Sequence, residues 1–134
     1  MFHLAKILNG RIGVPEPERI PLNAAVTVTY GSLAVIKDGT LSPVSATSAT
    51  LPTHLILADS EGNEVLAAVI TPEMIFEAKV TADPSAMKAG AEYLLSTDGT
   101  AVTATAVTSG KRGALLVDKT GAIQAGDRIL VAFR

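Results

Sequence analysis

The sequence predicts an all-β fold: a small antiparallel β-barrel or sandwich with an extended N-terminal arm and at most one short helix. Three observations carry that expectation. Short apolar or alternating runs recur with turn residues between them, roughly every ten positions. The material for a core is aliphatic, since hydrophobic residues make up 48% of the 134 and aromatics only 4%, with three Phe, two Tyr and no Trp. Helix signals are confined to one short stretch near Pro84.

Two parts are expected, an arm at 1–22 and a β domain at 23–134. The arm carries Pro15, Pro17 and Pro21, with Gly10 and Gly13 just before them. Proline fixes φ and pushes the residue before it to extended geometry, so no long helix fits here. Phe2, Leu4, Ile7, Leu8, Ile12, Val14 and Ile20 are too many apolar side chains for a free linker. The first six are the candidate partner-binding residues. Two readings are open: the arm lies on a partner, or it folds back on its own domain. Between Lys6 and Val14, where proline is absent, the backbone is free to add a strand to an exposed sheet edge.

The domain reads as strand after strand. Val26, Val28 and Tyr30 alternate with Thr27 and Thr29. Leu33 to Ile36 runs into Lys37-Asp38-Gly39-Thr40, a hairpin signal because Asp-Gly accepts positive φ, and Leu41 to Val44 returns. Residues 45–50 form a Ser/Ala/Thr loop. Thr53 to Ala58 is a strand ended by Asp59-Ser60-Glu61-Gly62-Asn63. Val65 to Ile70 is the longest unbroken apolar run and is expected to be a central strand buried on both sides. Met74 to Thr81 alternates like a half-exposed strand. Asp83 to Gly90 is the helix candidate, with Asp83 as cap, Pro84 in the first turn and Gly90 at the end. Strands resume at Glu92 to Ser96, Thr100 to Thr108, Ala114 to Val117 and Arg128 to Phe133. Repeated Asp-Gly-Thr and Ala-Gly steps are turn grammar and not duplicated domains.

Composition excludes several functions. Net charge is 11 − 13 = −2 and the isoelectric point is near 5.6, without the basic balance of a nucleic-acid coat. Mean hydropathy of +0.37 argues against disorder along the whole chain. Few aromatic rings remain for stacking bases or sugars. The absence of cysteine removes disulfides, thiolate zinc sites and thiol catalysis together. A six-residue apolar run is far short of a membrane span. Asn9, Gly10 and Arg11 interrupt any leader-like apolar region, so no signal peptide is expected and synthesis is assigned to a cytoplasm.

Catalytic patterns are also missing. No nucleophile elbow, His-Glu-x-x-His pair or EF-hand loop occurs. Gly110-Lys111 resembles the end of a phosphate loop, but Thr105 stands where a glycine is needed and Arg112 where Ser or Thr must hold magnesium. His54 has either a general-base or a structural role, with Asp59 too far along the chain to orient it locally. Asp59, Glu61 and Glu64 make an acidic turn, read either as a hard-cation site or as a solvated hairpin tip. No catalytic residue, metal site or cofactor is expected. Charge is uneven: Asp38 to Ala78 holds six acids and no Lys or Arg, and Lys111 to Arg134 holds five Lys or Arg and two acids. Those segments either form complementary surfaces or mix their charges on the folded molecule.

Gly31-Ser32-Leu33-Ala34-Val35, Asp38-Gly39-Thr40-Leu41-Ser42-Pro43, Pro52-Thr53-His54-Leu55-Ile56-Leu57-Ala58 and the strand Val65 to Ile70 carry a resemblance. By their pattern, over about two thirds of the chain, the sequence resembles the lambda-type head decoration, or cement, proteins of tailed bacteriophages. The resemblance implies a β-tulip-like domain and a non-enzymatic clamp. It implies binding to the outside of an assembled head, with the major capsid protein as partner and self-association as a homotrimer. Multivalent contacts would make modest interfaces strong. Neither nucleic acid nor membrane is an expected partner. Another virion module, of the tail or of head completion, is the alternative, followed by a ligand-binding barrel or an enzyme.

Overall fold

The structure of the protein is a computed structural model that describes residues 1–8, 16–24, 26–44, 46 and 48–134. Eleven strands form among them: β1 His3–Ile7, β2 Glu18–Pro21, β3 Leu33–Lys37, β4 Thr40–Pro43, β5 His54–Ile56, β6 Glu64–Val69, β7 Met74–Lys79, β8 Glu92–Leu95, β9 Val102–Ala106, β10 Ala114–Asp118 and β11 Arg128–Ala132. A six-stranded sheet has the order β1-β7-β11-β10-β8-β9, and a five-stranded sheet the order β2-β6-β5-β3-β4. Every strand pairing is antiparallel. The protein is all-β, two antiparallel sheets packed as a sandwich. No helix occurs among the described residues, and so none that could cross a membrane.

Alternation along the strands builds two cores. Leu33 and Leu55 point from the five-stranded sheet into the main core, where they meet Phe2, Phe76, Leu116, Ile129 and Val131 of the other side. Their chain neighbours Ala34 and Ile56 point the opposite way, into a second core with Ile20, Leu22, Leu41 and Val65. That second face is closed because the sheet curls. Leu22, just past β2, bridges Leu41 in β4, which joins the two ends of the sheet. Asn23 donates its backbone N–H to the Leu41 carbonyl at 2.9 Å. In the six-stranded sheet Val80, just past β7, likewise bridges Val102 in β9.

Most expected strands form within a residue or two of their expected ends. Asp38 (φ 51°) and Gly39 (φ 82°) make the two-residue turn between β3 and β4, with Lys37 opposite Thr40. Positive φ at both positions matches the twist of the flanking strands. Four expectations change. Residues 26–30 join no ladder: Val28 is buried as a plug of the second core, while Thr27 and Thr29 stay exposed. The alternation there sets which side chains are buried without setting a ladder. β6 is central, between β2 and β5, yet Val69 is exposed at its end. β7 is more buried than half-exposed, with Met74, Ile75, Phe76 and Ala78 all inside, because it lies between β1 and β11.

The fourth change is at residues 83–90, which form turns and no helix. Asp83 accepts the Ser85 N–H at 2.8 Å, as a cap would. A single turn cannot repay helix nucleation, however. The segment is instead tied to its surroundings. Met87 is buried in the main core, Lys88 N–H donates to the Tyr93 hydroxyl at 2.7 Å, and Gly90 N–H to the Leu116 carbonyl at 2.8 Å.

The boundary expected at residue 22 leaves β1 and β2 on the arm side, yet both are strands of the two sheets. β1 pairs with β7 and β2 with β6. Residues 1–22, where described, therefore do not stand apart from 23–134. The partner strands β6 and β7 lie far along the chain, so no local pattern marks the pairing.

Candidate functional site

The six arm residues have different fates. Phe2 is 1% exposed and sits in the main core, its ring centroid 5.8 Å from that of Phe133, which is 5.6 Å from that of Phe76. Leu4 and Ile7 are partly buried against the same core. Leu8 is exposed, and its N–H donates to the Glu73 carbonyl at 2.9 Å. Ile12 and Val14 lie outside the described residues.

The candidate chemical groups are likewise dispersed. His54 is buried in β5, with Nδ1 2.8 Å from the Thr53 hydroxyl. Burial lowers its pKa from the usual 6.5, and the negative charge of Glu18 pulls weakly the other way. The Thr53 hydroxyl also accepts the Ile36 N–H at 2.8 Å, which fits a structural role. Asp59 accepts the Tyr30 N–H at 2.9 Å and so fastens one loop to another. Glu61 and Glu64 face each other across a β-bridge at the β5–β6 turn. Among the described residues no three His, Asp or Glu side chains gather as a metal site. Lys111 lies in a tight turn, its N–H bonded to the Thr108 carbonyl at 3.1 Å.

Several depressions mark the surface of the described residues. A broad one, about 590 Å³, is lined by Thr27, Thr29, Ser32, Thr97 and Thr100, together with Asp98. Asp98 is already engaged, accepting from the Ser96 hydroxyl at 2.6 Å and from the Thr100 hydroxyl at 2.7 Å. Those bonds hold its carboxyl below the usual value. A small apolar cleft of about 30 Å³ between Leu4, Leu57, Ile70 and Met74 has no polar lining and no room for a ligand.

Another depression, about 250 Å³, is lined by Met1, His3, Glu77, Ala78, Lys79 and Arg128. The β7–β11 register sets Lys79 directly opposite Arg128. Like charges facing across a ladder are unfavourable. Glu77 eases this by pairing with Arg128, and it stands opposite His3 on β1. Lys79 has no hydrogen-bond or ion-pair partner among the described residues. Sequence reading missed this cluster because strand register, not spacing, assembles it. The signals available were Glu77 and Lys79 sharing one face of β7 and the basic excess after Lys111.

The charge question resolves by layer. In the six-stranded sheet acids and bases mix, as in Arg112 to Glu92 at 2.9 Å and Arg128 to Glu77. The five-stranded sheet and its turns keep an excess, with six acids in residues 16–64 against Arg19 and Lys37, a balance of 2 − 6 = −4.

No protein-family model and no curated protein sequence matches the chain. The fold is similar to a solved structure, the N base of head fiber gp8.5 in bacteriophage phi29. The two share 15% identity over 89% of this chain and 95% of that one, with a TM-score of 0.56.

Proposed function

We propose that this chain is a non-enzymatic structural protein of a bacteriophage head, added to the outside of the shell, where it bridges subunits of the major capsid protein. The observation that carries this reading is the backbone similarity to a phage head fiber base over nearly the whole of both chains. The sequence pattern shared with head decoration proteins points the same way and supplies the decoration role, several copies acting together as a homotrimer. The structural contacts of His54 and Asp59 support the non-enzymatic reading.

Phe2, Leu4 and Ile7 serve the chain's own core, so of the described arm residues Leu8 is the one left for a capsid contact, and Ile12 and Val14 keep the role proposed for them. A second reading, the base of a fiber or another head appendage, is favoured by what the phi29 neighbour is. Co-sedimentation of the purified chain with shells that lack it tests the proposal. Saturable binding at many sites per shell supports decoration, and binding at a few sites supports the appendage. No binding to shells contradicts both.

A further inference from the structure

Two oppositely charged surfaces flank one exposed aromatic residue. Tyr30 is 44% exposed, and its ring lies edge-on to His3 with centroids 6.3 Å apart. His3 belongs to the depression where Lys79 and Arg128 face each other. The Tyr30 amide is held by Asp59, at the start of the turn that also presents Glu61 and Glu64, three carboxylates with Arg19 beside them. Met1 is also exposed, and its side chain packs over Gly31, next to Tyr30. The surface thus runs basic, apolar, acidic.

From this order we infer that the surface is a docking site for a second copy of this chain, the acidic turn of one copy seated on the Lys79–Arg128 depression of the next. Three arguments select that occupant. The Lys79 ammonium has no ion-pair partner among the described residues, which leaves the Lys79–Arg128 depression net positive, and the five-stranded sheet carries the matching excess of acid. Because a basic cluster and an acidic turn both adjoin Tyr30 on one chain, a contact that seats the turn of one copy on the cluster of the next matches charge and can repeat around a closed ring. A partly exposed tyrosine within a charged rim is the usual anatomy of a protein interface. The inference rests on the self-association part of the proposed function and not on the phage-head assignment.

Sedimentation equilibrium on the purified full chain tests it. Association is expected at about 0.01 M salt and strong weakening at about 1 M, as the Debye length falls from roughly 30 to 3 Å. Lys79→Glu and Glu61→Lys should each weaken association about tenfold or more, and the double variant should restore it. Both side chains are exposed, so thermal unfolding should match the parent. Tyr30→Ser should weaken association without salt dependence of its effect. A monomer at both salt concentrations overturns the inference, and so does association that ignores the single charge reversals. Either result leaves binding to shells, measured separately, as it was.

Discussion

Gly113 and Gly39 need to be glycine for different reasons. Gly113 has ordinary φ but opens β10 against the backbone of β8, its N–H on Glu92 Oε1 at 2.7 Å. A Cβ there would overlap the Tyr93 carbonyl, a backbone group that cannot swing aside. Gly39 has open space around it and only a positive φ of 82°. Gly113→Ala should cost about 1–3 kcal/mol, as overpacking does. Gly39→Ala should cost about 1–2 kcal/mol, the price of a left-handed backbone. Urea midpoints compare the two, and equal stability of Gly113→Ala and the parent would refute the close approach. His54 gives a pH prediction. Burial lowers its folded pKa below the unfolded 6.5, so folding favours the neutral ring. Its contribution is complete above 6.5 and is lost as pH falls through 6.5 toward the folded value. His54→Gln should flatten the stability-against-pH curve in that window, and an unchanged slope would assign the effect elsewhere. The hairpin glycine was legible because Asp-Gly is a local signal. Gly113 and the Lys79–Arg128 pair were not, since both arise from contacts between strands.

The elements show the same division. β3 and β4, with their two-residue turn, and β5 to β11 follow from alternation and turn residues. β1 and β2 were read as an arm because their apolar side chains lie among prolines and glycines and their partners β7 and β6 are distant in sequence. Pro21 fits its place at the end of an edge strand. Residues 26–30 show the converse, a strand pattern without a ladder, since Val28 fills the second core. An apolar alternation fixes which side chains go inside, not whether a neighbouring edge is free to pair. The candidate helix failed for want of length. These placements give a prediction for the N-terminus. Removing residues 1–7 takes away Phe2 from the main core and β1 from the six-stranded sheet. Truncating a buried Phe alone costs about 3–5 kcal/mol. The shortened chain should unfold at much lower urea than the parent. An unchanged midpoint would return residues 1–7 to the role of a separable arm.

At the scale of the whole molecule, the two sheets and two cores leave the working features on the outside. Acid is concentrated on the five-stranded sheet, a partly unpaired basic cluster lies on the other, and an exposed tyrosine stands between them. Uneven charge was legible in the sequence; its arrangement around Tyr30 was not, because the β7–β11 register and the Asp59 contact create it. Charged surfaces around an exposed tyrosine suit the proposed role, in which the chain acts by occupying a lattice through many weak contacts. The measurement that tests the proposed function most directly is the copy number of the chain relative to the major capsid protein, by quantitative mass spectrometry of particles purified from a lysate in which the chain is produced. The account predicts a copy number comparable to that of the major capsid protein, in fixed proportion to it. Absence from the particle, or a copy number that varies independently of the capsid protein, would contradict it.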